Sequence, residues 1–376
     1  IMDTWATSSL TPQIACGWED DPDLFERTFP MDLRPQGHDI IRTWLFSTMV
    51  RSHYEHGHAP WSDVALSGWI LDPDRKKMSK SKGNVVVPTD LLEQHGADAV
   101  RYWAAGGRPG TDTAFDPGQM KIGRRLAIKV LNASKFVLGA GPVPAGAAVT
   151  EAIDQAMLAE LAGLVDEATR AFDGYDYARA LQRTEEFFWR FCDDHLELVK
   201  GRAYRDDAAA LSARVALHAA LSALLRLFAP FLPYATEEVW SWCRSGSGAG
   251  EALAGFEAES VHRAAWPTAG ELRSLVGDVP GADGAPSTLL VAAEVLGRIR
   301  KAKSDAKVSM RAEVATVTVT DTPDRLAALA LAADDVRDAG KVAELVSVEL
   351  FAGAEPGVDV ILAEVPAADA GPVDPA

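Results

Sequence analysis

The sequence predicts an α/β layer, then an α-helical bundle, then a small α/β unit. Three observations lead there. Val64 to Leu71 is an apolar, partly β-branched run between Pro60 and Pro73, and reads as a buried strand. From 151 to 244, apolar residues recur at helical spacing between short breaks. Val314 to Thr320 alternates apolar and hydroxylated side chains at period two, which is a strand pattern. At 376 residues the chain has room for two or three domains.

Residues 1–35 read as strand and loop pieces of the first layer, with Trp5 an ordinary core aromatic. A helix follows Gly37-His38-Asp39 and runs to about Glu55, with Ile41, Leu45 and Met49 on one face and Gly57 ending it. Asp39 fits two roles, an N-cap or a carboxylate that grips ribose hydroxyls where Gly37 lets a ligand approach; residue type alone leaves both open. His53, His56 and His58 cluster at the helix end, read as solvent-facing. No cysteine or carboxylate pattern accompanies them, so no metal site is assigned. Asp72-Pro73-Asp74 turns the chain after the strand.

Short helices are expected from Pro88 to Gly96 and from Ala97 to Ala105, and a long one from Pro117 with Asp116 as its cap. On that long helix Lys121, Arg125 and Lys129 form a basic stripe, and Ile122, Leu126 and Val130 an apolar one. Phe136, beside Lys135, is either core or an aromatic on which a single-stranded base could stack. Beyond a Gly/Pro/Ala linker, helices are expected at 151–172, 176–204, 207–229 and 235–244, packed as an antiparallel bundle. Ser245 to Gly250 reads as a flexible insertion. Leu289 to Lys303 and Asp324 to Asp338 read as helices, and 344–350 and 357–363 as strands. A disordered, Ala/Pro/Asp/Gly-rich tail follows.

The richest segment is Arg75-Lys76-Lys77-Met78-Ser79-Lys80-Ser81-Lys82-Gly83-Asn84, with no acid in it. Most short basic runs are simply solvated. This one hangs from the carboxyl end of a strand, where an open α/β sheet binds nucleotides. Lysines supply point charges for phosphate oxygens, while serine hydroxyls and backbone amides add hydrogen bonds.

Net charge is −17, which argues against wholesale nucleic-acid affinity. Charge is local, however. Lys121, Arg124, Arg125, Lys129 and Lys135 form one basic patch; Arg298, Arg300, Lys301, Lys303, Lys307 and Arg311 form another, diluted only by Asp305. Cys16, Cys192 and Cys243 are far apart and suggest a reducing, cytoplasmic setting. No 18-residue wholly apolar run announces a membrane span.

The order Lys77-Met78-Ser79-Lys80-Ser81 resembles the signature loop of class I aminoacyl-tRNA synthetases. Flanking segments extend the likeness to the carboxyl-terminal part of a bacterial valyl-tRNA synthetase: Asp3-Thr4-Trp5, Gly37-His38-Asp39-Ile40-Ile41, Ser67-Gly68-Trp69-Ile70, Asn132-Ala133-Ser134-Lys135-Phe136 and Ala229-Pro230-Phe231-Leu232-Pro233. The resemblance covers most of 1–268. It implies that 1–75 is the second half of a Rossmann-like catalytic domain and 76–117 the signature loop with a stem-contact region. It further implies a helical anticodon-binding domain at 118–268, a linker at 269–287, a small α/β domain at 288–366 and a tail at 367–376.

By that resemblance the reaction joins valine and ATP, with Mg²⁺, into valyl-adenylate, and passes valine to tRNA(Val). The enzyme would act as a monomer away from membranes. Lys77 and Lys80 would be catalytic. Gly37, Asp39, Ser67, Gly68, Trp69, Ile70, Met78, Ser79 and Ser81 would bind ATP, with the 67–70 stretch lining the adenine edge through its backbone. Trp5 and Ile40 would wall the valine pocket. Lys121, Arg125, Lys129, Lys135 and Phe136 would face tRNA. His38 receives no role.

Two departures follow. These 376 residues hold no His-x-Gly-His segment and no inserted editing domain. A hydrophobic pocket cannot strongly reject an isostere with an added hydroxyl; valyl-tRNA synthetase facing threonine is the known illustration. Little valine activation is therefore expected from these residues alone. A catalytically silent tRNA-binding protein and an isoleucine or leucine synthetase are the competing readings.

Overall fold

In the computed structural model, residues 3–144, 146–245, 256–276, 286–351, 353 and 355–363 are described. The expected insertion after Ser245, much of the 269–287 linker and the tail lie outside them. The chain forms two compact units, one of 1–126 with 171–181, the other of 127–170 with 182–376.

The first unit opens with helices, not strands: α1 (Thr4–Ser8), α2 (Thr11–Ala15) and α3 (Pro22–Thr28) precede β1 (Met31–Gly37). Local capping explains this. The Asp3 and Asp21 carboxylates accept from Trp5 N and Leu24 N, and proline occupies the first turn of α2 and α3. A 3₁₀ turn at His38–Ile40 and a π turn at Ile41–Leu45 lead into α4 (Phe46–His56), which Gly57 ends in the left-handed region.

The expected apolar face of this helix is not its buried one. Ile41 and Met49 are exposed, whereas Thr48 and Ser52 are buried, because Trp44 turns inward to donate to Ser8 O at 2.8 Å. His56 is also not solvent-facing; it packs among the rings of Trp18, Phe25 and Phe29.

β1 pairs in parallel with β2 (Trp61–Ser67), from Met31↔Trp61 to Gly37↔Ser67. The run read as one buried strand is two. β3 (Ile70–Leu71) pairs instead with β4 (Thr113–Ala114), and Val64, Leu66 and Ile70 are exposed. Gly68 makes the switch: a Cβ there would sit 2.2 Å from the Thr111 backbone. α5 (Pro88–His95) and α6 (Ala97–Ala105) match expectation, as does α7 (Pro117–Gly139), whose first turn Asp116 caps through Gly118 N at 2.7 Å.

Farther along the chain, α8 (Ala152–Asp173), α9 (Tyr177–Arg190), α10 (Leu196–Ala203), α11 (Ala208–Phe228) and α12 (Pro233–Ser245) lie close to the predicted helices; all but 171–181 of them belong to the second unit. A π turn at Phe191–His195 joins α9 to α10. α11 is long and apolar enough to cross a membrane by composition, but its side chains form the core of the bundle. The expected linker begins with a helix, α13 (Ala269–Val276).

A buried ionic network fastens the bundle. Arg202 donates to both Asp154 oxygens at 2.8 and 3.0 Å, to Asp335 at 2.9 and 3.0 Å, and to Ala209 O at 2.7 Å. Ser212 and His195 complete the Asp154 shell. Although burial raises the Asp154 carboxyl, His195 and Arg202 together hold it below its ordinary value.

α14 (Thr288–Asp305), β5 (Val314–Asp321), α15 (Pro323–Ala330), α16 (Ala333–Gly340), β6 (Val342–Glu349) and β7 (Gly357–Leu362) form the small α/β region. Its sheet order is β6-β5-β7, with β5 parallel to β6 and antiparallel to β7. The single helix expected at 324–338 is broken at Leu331–Ala332, and the second piece carries Asp335 to Arg202.

Candidate functional site

Parallel strands β1 and β2 end side by side at Gly37 and Ser67, and the basic loop begins a few residues beyond. Asp39, in the 3₁₀ turn after β1, caps no helix. Its carboxylate instead lies 3.6 Å from Lys77 Nζ, both side chains being 48% exposed. The same ammonium stands 4.1 Å from the centroid of the Trp69 ring. His38 closes the group: its Nδ1 donates to Ser67 O at 3.0 Å, and its ring lies 4.5 Å from Trp69. Acceptance by a carbonyl places the His38 proton on Nδ1.

The loop is fastened at its base. Asp72 Oδ1 accepts from Lys76 N at 2.8 Å, and Asn84 Nδ2 donates to Asp72 Oδ2 at 2.7 Å. Asn84 Oδ1 in turn accepts from Ser79 N at 2.9 Å. These bonds from the Lys76 backbone and the Asn84 side chain lower the Asp72 pKa from its ordinary value. Between the two ends, Leu71 and Lys77 form an antiparallel bridge, Ser79 and Ser81 hydroxyls meet at 3.2 Å, and Lys80 begins a 3₁₀ turn that Gly83 closes. Lys80 is exposed, while Met78 is half-buried.

Some assigned groups are already committed within the protein. Trp69 N donates to Asp112 Oδ1 at 2.8 Å, and Trp69 O accepts from Thr113 N at 2.9 Å. The backbone of Trp69 is thus taken, leaving its ring, and Gly68 spends its missing side chain on the 111–112 backbone. Trp5 is not core; it is 41% exposed on α1, and Ile40 is half-buried in the turn beyond β1. The arrangement brings Asp39, Trp69, Lys77 and His38 together. Asn84, Asp72 and Asp112 were missed by sequence reasoning; the Gly-Asn pair closing the basic run was the available signal for the first.

On α7, Leu126 and Val130 are buried as the apolar stripe requires, and Lys121 and Arg125 are exposed. Further along, Lys129 pairs with Asp193 at 3.3 Å and stands 5.6 Å from the Trp189 ring centroid. Lys135 lies 5.6 Å from that of Trp242, and Phe136 meets Tyr204 edge-on at 5.8 Å. Cations beside partly open aromatic rings suit RNA. An open groove of about 440 Å³ between α8 and α9 suits it less, because Arg183 pairs there with Glu167 and Glu186, and Arg190 with Glu160.

Comparison with known proteins identifies the parts of the chain. Residues 1–116 match the family model for class I tRNA synthetases of the I, L, M and V type, and residues 154–319 match the anticodon-binding domain of tRNA ligases. Valine–tRNA ligase of Thermobifida fusca is 60% identical over 367 residues, covering 96% of the chain and 39% of that relative. The chain belongs to the class I aminoacyl-tRNA synthetases, in the valyl-tRNA synthetase family.

Other members include the valine–tRNA ligases of Salinispora tropica, 58% identical over 93% of this chain and 41% of the relative, and Leifsonia xyli, 53% identical over 97% and 41%. The chain spans about two fifths of the length of these relatives. Among solved structures, the Agrobacterium radiobacter LeuRS–tRNA–LeuAMS complex aligns with TM-score 0.56 at 20% identity, over 73% of the chain and 34% of the other. Mycobacterium tuberculosis methionyl-tRNA synthetase with methionyl-adenylate aligns with TM-score 0.54 at 24% identity, over 64% and 49%. At those identities the likeness concerns the fold.

Proposed function

We propose that the chain is the signature-loop and anticodon-reading part of a valine–tRNA ligase working in the cytoplasm, with divisions at 75, 117, 268 and 287. The observation that carries this is the meeting of Asp39, Trp69 and Lys77 at the carboxyl ends of β1 and β2.

Valine attacks the α-phosphorus of ATP through its carboxylate, forming the acyl–phosphate bond of valyl-adenylate as the bond to pyrophosphate breaks; Mg²⁺ carried by ATP would neutralise charge on the leaving phosphates. Asp39 and Gly37 hold the ribose, and the Trp69 ring, with Ser67, Gly68 and Ile70, bounds the adenine. Lys77 lies against Asp39 and the indole. When ribose takes Asp39, Lys77 is released toward the leaving phosphates and joins Lys80, with Met78, Ser79 and Ser81 shaping the loop. Cations that engage fully only in the transition state raise kcat more than they tighten ATP binding. Trp5 and Ile40 wall the valine side chain. Lys121, Arg125, Lys129, Lys135 and Phe136 meet tRNA(Val).

The test is valine-dependent ATP–pyrophosphate exchange by the longer protein carrying Lys77→Ala or Lys80→Ala. A kcat loss of about 10²-fold or more with KM for ATP nearly unchanged is expected. Unaltered exchange in both variants overturns the assignment.

A further inference from the structure

The second basic patch seen in the sequence is sorted by the structure into two groups with different work. Lys303 is 1% exposed, and its Nζ donates to Gly340 O at 2.8 Å and Met310 O at 3.1 Å. Arg300 donates to Asp193 O at 2.6 Å and faces Glu197. These two are internal fasteners. Arg298, Lys301, Lys307 and Arg311 are exposed, and among the described residues their side chains enter no ion pair.

The four are held in one neighbourhood by the backbone. Arg298 and Lys301 are one turn apart on the same face of α14. Lys307 sits in the left-handed region just past the helix, with its N–H on Ser304 O at 2.9 Å and Val308 N on Lys303 O at 3.0 Å. The buried Lys303 ammonium then ties Met310, the neighbour of Arg311, back to the same helix end. Asp305 is the one acid in the segment and pairs with none of them.

The rest of the small α/β region has the opposite sign. Residues 298–311 hold six cations and one acid, whereas 312–363 hold three cations and ten acids. Within a chain of net charge −17, exposed cations that enter no ion pair, carried on one helix end and the turn after it, are the part of this region that a polyanion can approach. Helix-end cations also complement the helix dipole. In the last turn that role falls to Lys303, and it does not account for Lys307 and Arg311 beyond the helix.

We propose that Arg298, Lys301, Lys307 and Arg311 form a second RNA-contacting surface, which takes the phosphodiester backbone of the tRNA independently of sequence. The inference rests on the proposed tRNA-binding function and adds to it a contact site on the small α/β region. Lysines and arginines on such a surface position RNA through phosphates and carry no base readout. The surface therefore contributes affinity equally to every tRNA, while discrimination stays with the bundle.

The experiment measures binding of purified chain to valine tRNA and to a non-cognate tRNA across a salt series. Wild type is compared with Arg298→Gln/Lys301→Gln/Lys307→Gln/Arg311→Gln and, separately, with Lys129→Ala/Lys135→Ala. Circular dichroism and urea midpoints verify folding; Arg298→Lys/Arg311→Lys serves as the charge-conserving variant. The glutamine variant is expected to bind both tRNAs about tenfold more weakly or worse at physiological salt, with the salt slope lowered by about 3. The charge-conserving variant should retain the wild-type slope.

Unchanged slope in the glutamine variant, with the bundle variant impaired, overturns the surface and leaves the bundle assignment standing. The reverse pattern supports the surface and overturns the bundle assignment. Absence of tRNA binding by wild type overturns both. Loss of binding to anionic phospholipid vesicles without loss of tRNA binding reassigns the patch to a lipid surface and overturns the proposal.

Discussion

The two units treat the same kind of residue differently. In the second, Leu217, Leu221, Leu224, Leu225 and Phe228 on α11 are all buried. In the first, Phe46, Met49, Val64, Leu66, Ile70, Val85, Val87 and Leu92 are exposed, and the buried set includes Gln13, Arg34, Gln36, Thr48 and Ser52. One unit is therefore held by packing and a buried ionic network, whereas the other exposes much of its apolar surface and buries several polar side chains in its place. On the proposed function, stability and chemistry occupy different parts of the chain, and substitutions should separate them.

The largest effect is expected at Arg202. Its guanidinium neutralises Asp154 and Asp335 in a site with almost no solvent access. Arg202→Met leaves two buried carboxylates without their partner, at a cost of about 3–5 kcal/mol in urea unfolding. A loss below about 1 kcal/mol would mean that the network adds little to the second unit, and the contrast between the units would weaken.

Next comes a pH effect at His218. Burial in α11 pushes the imidazole from its ordinary 6.5 to about 4, outweighing the contribution of the Val137 backbone. Between those values the unfolded chain binds a proton that the folded one refuses, so stability rises with pH there and is lost on acidification from 6.5 towards 4. The shift corresponds to about 3 kcal/mol. Urea unfolding at a series of pH values should show this slope in wild type and not in His218→Gln. Equal slopes would dismiss His218 as the cause.

The two units were also unequally legible in the sequence. The bundle was readable because its apolar residues bury against one another within the same chain, and periodicity reports that directly. A helix was expected from 207, and Asp207 caps it there by accepting from Ala210 N, whereas the next helix begins at Pro233, two residues before the expected 235. The first unit was misread where short-range chemistry prevailed: Asp3 and Asp21 cap helices where strands were expected, and Gly68 passes the chain from one strand pair to another. In the site, the identity and order of the lysines were visible, as was Asp39. Invisible were contacts between residues distant in sequence: His38 to Ser67, Trp69 to Asp112, and Arg202 to Asp335, which are 29, 43 and 133 positions apart. No local pattern encodes such pairings.

A smaller effect is expected at Asn84. Asn84→Ala removes its bonds to Asp72 and Ser79, each worth on the order of 1 kcal/mol. Because the loop can open without unfolding the unit, the loss should appear as faster amide hydrogen exchange at Ser79 and Lys76, with little change in the urea midpoint. Unchanged exchange would mean that the clasp does not hold the loop.

The smallest structural effect is expected where the chemical one is largest. Lys77 and Asp39 are each about half exposed, and an ion pair so open to water contributes at most about 1 kcal/mol. The indole contact adds about 0.5–1 kcal/mol at such exposure, and the released lysine regains hydration that offsets much of both. Lys77→Met should therefore leave the unfolding midpoint nearly unchanged. It should also free the Trp69 ring of its cation, altering the indole fluorescence. If ribose takes Asp39 from Lys77, ATP added to the longer protein should produce a similar change in wild type and none in Lys77→Met. A large stability loss on substitution would instead make Lys77 a structural cation, and the separation of stability from chemistry would fail at the residue on which it most depends.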